Sequence, residues 1–269
     1  MPLPTFVIAG AQKSGTTTLH DLLSQLPDAW MTEPKEVHFF DRHLDRGIDW
    51  YAGQFHPEAS HHAWGESTPY YLYSDSARRA MAERLPESLF VMLLREPVSR
   101  AYSQYWFARS KGVETLPTFA EAVAAEPERL AKSRNPRPAR FSYLDRGRYL
   151  RQLQDLEDRV GRERLQIHLM DDLAKNPHEV LRSTCSFVGL DPAGATDVNA
   201  RAKNTFANRT VNSADRLAKE PVARRADSVP AGSYPPIDSE LAAHLRRQFA
   251  ADNERLALWL GRDLSAWMP

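Results

Sequence analysis

Short apolar runs alternate along the chain with longer stretches in which apolar residues recur every three or four positions. Residues 5–9 are β-branched and aromatic and end at Gly10, which predicts a buried strand. Residues 16–26 then place Leu19, Leu22, Leu23 and Leu26 at helical spacing, and Pro27 stops the helix. Residues 89–94 form the clearest buried strand, and Pro97 suits the first position of a helix running to about Arg109. A third strand over 165–169 is followed by a helix from about 177 to Val188, ended by Gly189. Leu241, Leu245, Phe249, Leu256 and Leu260 mark a closing helix over 239–260. Strands alternating with helices predict an α/β fold with a central, mainly parallel sheet flanked by helices. Residues 132–142 and 199–236 read as excursions rather than linkers, because each precedes an amphipathic helix that needs the same core. A single domain over 1–269 is therefore expected.

Composition narrows the function classes. The chain has 35 Lys+Arg and 35 Asp+Glu, a formal net charge of zero, which argues against a nucleic-acid partner. Cys185 is the one cysteine, so neither an intrachain disulfide nor a cysteine-based zinc site can form. His56, His61 and His62 lack the i, i+4 spacing of a zinc helix, and no metal site is expected. Mean hydropathy is −0.54, and no apolar run approaches the roughly 20 residues of a membrane span. The first apolar run is too short for a signal peptide and has no basic residues before it, so a cytoplasmic protein without membrane insertion is expected.

The most informative segment is Gly10-Ala-Gln-Lys13-Ser14-Gly15-Thr16-Thr17. It follows a predicted strand and opens a predicted helix. Such a junction aims backbone N–H groups and a positive dipole end at one point, which suits an anion. Gly10 and Gly15 allow a sharp turn and close approach. Lys13 adds a full charge, and Ser14, Thr16 and Thr17 add hydroxyl donors. The loop is P-loop-like without being a Walker A loop, whose lysine follows the second glycine; here the lysine comes two residues before it.

This loop resembles the 5′-phosphosulfate loop of sulfotransferases that use 3′-phosphoadenosine 5′-phosphosulfate (PAPS). Residues 91–105, VMLLREPVSRAYSQY, are similar to the family's 3′-phosphate motif, which carries over to Arg95 and Ser103. The planar Arg fork suits phosphate oxygens. Lys35-Glu36-Val-His38-Phe-Phe-Asp41, Gly47-Ile-Asp-Trp-Tyr51, Glu66-Ser-Thr-Pro-Tyr70 and Leu260-Gly-Arg-Asp-Leu264 with Trp267 resemble segments of the heparan-sulfate-type branch, in the same order. The resemblance makes Glu36 the base that removes the acceptor proton, with His38 as an acceptor ligand or an alternative base. One position departs: the branch has a lysine where this chain has Ser67, and Lys35 is a candidate replacement cation. Arg224 and Arg225 read as a solvated pair.

The resemblance thus implies in-line sulfuryl transfer from PAPS to a hydroxyl, or less readily an amine, of a carbohydrate, glycolipid or secondary-metabolite acceptor, without a metal. Lys13 and the loop N–H groups would stabilise the leaving phosphate. Two rival readings are a P-loop small-molecule kinase and a nucleotide-binding module without catalysis. Zero net charge and Ser67 together point away from a highly sulfated polyanionic acceptor.

Overall fold

The computed structural model describes residues 2–132, 138–199 and 234–269. In chain order its strands are β1 (Phe6–Gly10), β2 (Ala29–Met31), β3 (Ala63–Ser67), β4 (Leu89–Leu94) and β5 (Leu165–Leu169). Its helices are α1 (Thr16–Leu23), α2 (Phe39–Arg42), α3 (Ile48–Ala52), α4 (Asp75–Arg84), α5 (Pro97–Ser110), α6 (Phe119–Ala124), α7 (Glu126–Ala131), α8 (Tyr149–Val160), α9 (Met170–Lys175), α10 (Pro177–Val188) and α11 (Ser239–Leu260). The chain groups into two compact units, Met1–Arg95 with Arg151–Arg201, and Glu96–Leu150 with Ala202–Pro269.

The first unit holds the whole sheet, five parallel strands in the order β2-β3-β1-β4-β5. Phe6, Ile8, Val91 and Leu93 pack with Leu19, Leu22 and Leu23 of α1 and Leu181, Cys185 and Val188 of α10. The alternate residues Val7, Ala9, Phe90 and Met92 are fully buried too, so both faces are covered, as parallel sheets require. Arg78 of α4 donates to the Leu72 carbonyl at 2.7 Å and to Asp155 of α8 at 2.5 Å, so its burial leaves a paired charge. Strand order reverses direction at β1: its connection leads toward β2, while β4 leads toward β5. The crevice at the carboxyl ends of β1 and β4 is therefore a switch point, the usual ligand position in open α/β sheets.

The second unit is helical and aromatic. Glu96 caps α5 by accepting from the backbone N–H groups of Val98 and Ser99, with Pro97 at the first helical position. A Thr118–Glu121 capping box opens α6. Tyr102, Tyr105, Phe119, Tyr143 and Phe249 form one buried cluster. Buried Glu114 is satisfied by Arg129 at 2.6 Å and Tyr143 at 2.7 Å.

The predicted strands over 5–9, 89–94 and 165–169 and the helices from 97, 177 and 239 are present within one residue. α1 is shorter than expected, ending at Leu23. There the Ser24 hydroxyl and backbone N–H both bond the His20 carbonyl. Most of the 199–236 excursion, with Arg224 and Arg225, lies outside the described residues.

Candidate functional site

β1 delivers the chain into the Gly10–Thr17 loop at full burial. A Cβ on Gly10 would lie 2.5 Å from Leu72 Cβ, so only glycine fits where Leu72 N–H bonds the Ala9 carbonyl at 2.9 Å. The Ala11 N–H bonds the Leu93 carbonyl of β4 at 2.8 Å, which fixes the loop across the switch point. Gly15 takes φ +92 as the N-cap of α1 and supplies no side-chain cap, and the first turn carries no acidic residue. The first N–H groups of α1 therefore keep their full capacity for an external acceptor. Ser14 sits in the loop fully buried, and among the described residues its hydroxyl has no partner. A buried, unmet donor costs stability unless a ligand meets it. Arg95, at the end of β4, reaches the loop and donates to the Lys13 carbonyl at 3.3 Å. Lys13, Ser14, Gly15, Thr16, Thr17 and Arg95 are thus brought to one end of the sheet. Ser103 lies on α5 in the second unit, nearly buried, and its role rests on the sequence resemblance.

Glu36 and His38 occupy neither a strand nor a helix. Glu36 has φ 69 and His38 has φ 56 as the N-cap of α2, and this left-handed turn brings their side chains together. His38 Nε2 lies 3.3 Å from Glu36 Oε2, and His38 Nδ1 lies 3.0 Å from Asp41 Oδ1. Lys35 Nζ lies 3.3 Å from the other Glu36 oxygen. Burial opposes charge on both groups, and the pairing overrides it. Hydrogen bonds to Asp41 and Glu36 raise His38 to about 9. The bond from His38 and the charge of Lys35 lower Glu36 to about 2. At neutral pH the pair is an imidazolium held between two carboxylates. Among the described residues, Lys13, Glu36 and His38 are the non-glycine residues with positive φ. Each such backbone costs roughly 1–2 kcal/mol, strain that concentrates where function over-determines geometry.

A cleft of about 580 Å³ joins the two segments, lined by Thr17, His20 and Asp21 of α1 and by Glu33, Pro34 and Lys35. Burial, reinforced by the Lys35 charge, lowers His20 to about 4, so it stands neutral there. Lys35 therefore places a cation beside Glu36 and the cleft. Ser67, at the end of β3, is fully buried, and among the described residues its hydroxyl has no partner. Sequence reasoning did not single out His20, whose signal is its place one helical turn beyond Thr16 and Thr17. It also missed Thr68, whose hydroxyl accepts the His38 N–H at 3.4 Å. Asp171 and Asp172 lie inside the first turn of α9, where their charge meets the positive helix end. Among the described residues no helix is long and apolar enough to cross a membrane.

The sulfotransferase domain family matches residues 3–228. The chain is 27% identical over 275 residues to a bifunctional heparan sulfate N-deacetylase/N-sulfotransferase 1 of Caenorhabditis briggsae, covering 97% of this chain and 30% of that protein. It is 36% identical over 116 residues to the mouse heparan sulfate glucosamine 3-O-sulfotransferase 6, covering 43% of this chain and 33% of that protein. The chain thus spans about a third or less of the length of these curated relatives. A solved sulfotransferase from Alicyclobacillus acidocaldarius superposes with a TM-score of 0.78 at 28% identity, over 99% of both chains. The strand-loop-helix that gathers Lys13 and Arg95 lies inside a family match covering most of the sequence, and the chain belongs to the sulfotransferase family.

Proposed function

We propose that the chain transfers a sulfuryl group from PAPS to a hydroxyl of a carbohydrate, glycolipid or secondary-metabolite acceptor. The observation that carries this reading is the coincidence of backbone strain with chemistry: Lys13 in the anion loop and Glu36 and His38 in the carboxylate segment. The loop fits such a donor on its own terms, with a buried unmet Ser14 hydroxyl, an uncapped helix start and a Gly10 site that a Cβ would fill. PAPS, when bound, supplies an activated sulfuryl group on a phosphate leaving group. Lys13, Ser14 and the first N–H groups of α1 would hold the 5′ end and stabilise charge growing on the leaving oxygen. Arg95 would bind the 3′-phosphate through its guanidinium fork.

Glu36 is the proposed proton acceptor. Its carboxylate is ionised and almost half exposed, whereas His38 is protonated and more enclosed, so His38 has no lone pair to offer. His38 would instead hold Glu36 in place through its Nε2–H, and the proton removed from the acceptor would go to a Glu36 oxygen. Lys35 would supply the cation that Ser67 does not. A kinase reading needs a lysine after Gly15, where the chain has Thr16. The test is transfer of labelled sulfate from PAPS across sugar, phenol, lipid and glycopeptide acceptors. Glu36→Gln should cut the rate of the chemical step about 10²–10⁴-fold while leaving donor binding intact. Near wild-type turnover in that variant would move the base elsewhere. PAPS binding with no turnover on any acceptor would favour the non-catalytic module.

A further inference from the structure

Glu66 lies at the carboxyl end of β3, level with Val7 of β1, and is completely buried. Three hydroxyl groups converge on it. Tyr51 donates to Oε1 at 2.8 Å, Tyr71 donates to Oε1 at 3.0 Å and Thr68 donates to Oε2 at 2.5 Å. A buried carboxyl group is thus met by three O–H donors. Each partner leads to the strained segment. The Thr68 hydroxyl, having given its proton to Glu66, is oriented to accept the His38 N–H. The Tyr51 ring stacks on Phe39 at 4.6 Å and 14°, and meets Phe40 edge-on at 5.1 Å. The Tyr71 ring meets Phe40 edge-on at 5.3 Å. The residue that carries the left-handed turn and the two that follow it are therefore all fixed by groups that Glu66 orients.

We propose that Glu66 is a positioning residue: through Thr68 and the two tyrosines it locks the His38 turn, and so sets where Glu36 presents its carboxylate. This deepens the reading of Glu36 as the proton acceptor and rests on it. A structural role alone would not require a carboxylate here. Apolar side chains in place of Glu66 and its three donors together would fill the space without burying a charge or leaving a hydroxyl unmet, and replacing a whole buried polar cluster that way is often neutral or stabilising. The carboxylate suits an arrangement in which all three hydroxyls must point one way. It also places a negative charge near the His38 imidazolium, which is faced by Glu36 from its own loop, by Asp41 and Arg42 of α2, and by Glu66 from β3. Burial raises the Glu66 carboxyl above its ordinary range, opposed by the three donors. The two tyrosines fill the sites on Oε1 and Thr68 takes one site on Oε2, so the donors occupy three of the four lone-pair sites of the carboxyl group.

Two variants test this in the full chain. Glu66→Gln keeps size but replaces one acceptor oxygen with a donor. Its turnover should fall about tenfold or more, while affinity for the desulfated product, adenosine 3′,5′-bisphosphate, should stay within about twofold by calorimetry. NMR titration of the His38 ring should show its protonation midpoint falling by about one unit. That readout needs no acceptor and no catalysis, so it separates failure of this assignment from failure of the sulfotransferase reading. Thr68→Val and Thr68→Ser form the second arm, independent of the buried charge. Valine should reproduce the loss of turnover, and serine, which keeps the hydroxyl, should restore it. The proposal is overturned if folded Glu66→Gln keeps wild-type turnover and an unmoved His38 titration. If Glu66→Gln does not fold, wild-type turnover in Thr68→Val overturns it, and loss in valine with recovery in serine sustains it.

Discussion

His38 can satisfy two carboxylates only while protonated, because a neutral imidazole has one N–H to give. With His38 raised to about 9, the pair stays intact through neutral pH and breaks in the alkaline range. The folded-state value lies above the ordinary histidine value, so its stabilisation is complete below about 6.5 and lost as pH rises through about 9. Glu36 behaves oppositely: its value is depressed, so its contribution is present above about 4.5 and lost as pH falls through about 2. Turnover should therefore be level from about pH 5 to 8 and fall with a midpoint near 9, a limb that His38→Gln removes. A midpoint near 6.5 in the wild-type pH profile would show that His38 is not held between Glu36 and Asp41. Lys13, Glu36 and His38 were legible as residue types in a motif. Their left-handed backbone was not, because β, helical and left-handed geometries of Glu-Val-His share one sequence, and Phe39 and Phe40 packing on Tyr51 selects among them. Glu66 and Thr68 were quoted in a motif without a role, since a buried carboxylate announces itself only through its partners.

Elements with strong apolar runs were legible and those without were not. β1 and β4 are buried on both faces and read as continuous apolar stretches, and β5, Leu-Gln-Ile-His-Leu at the sheet edge, reads through its alternating apolar positions. β2 is three residues long, and β3 ends in Gly65-Glu66-Ser67, polar but buried. A strand that ends this way lacks the apolar pattern that would have marked it. α2 has four residues and is set by ring packing rather than periodicity. At this scale the β1–loop–α1 unit is the most constrained piece. Gly10→Ala places a Cβ 2.5 Å from Leu72 Cβ, an atom with no rotamer freedom. We expect a loss of roughly 1–3 kcal/mol in urea unfolding, with weaker binding of adenosine 3′,5′-bisphosphate. Gly47→Ala, whose Cβ meets nothing within 4 Å, should leave nucleotide binding unchanged despite its positive φ. Equal nucleotide affinity in Gly10→Ala and wild type would show that the loop does not require this close approach.

At the scale of the whole chain, the α/β class and parallel sheet followed from the alternation of runs, whereas the division into two compact units was not legible, because α5 follows β4 after two residues with no linker composition between them. Zero net charge and the carboxylates Asp21 and Glu33 in the cleft bear on the acceptor. A sulfated polyanion needs an extended cationic groove and releases counterions on binding, so its turnover would fall steeply with salt. A neutral hydroxyl acceptor should show turnover changing less than about twofold between roughly 50 and 200 mM salt, and efficient, salt-sensitive sulfation of heparan-type oligosaccharides would contradict that choice. Under the proposed function, the loop at the end of β1 and Arg95 at the end of β4 would read a 3′-phosphorylated adenine nucleotide. Calorimetric titration with adenosine 3′,5′-bisphosphate and with adenosine 5′-monophosphate, on wild type and Arg95→Ala, tests it most directly. The bisphosphate should bind at least about tenfold tighter to wild type, and Arg95→Ala should remove about 1.5–3 kcal/mol of that binding and most of the preference. Equal affinity of the wild-type protein for the two nucleotides would contradict it.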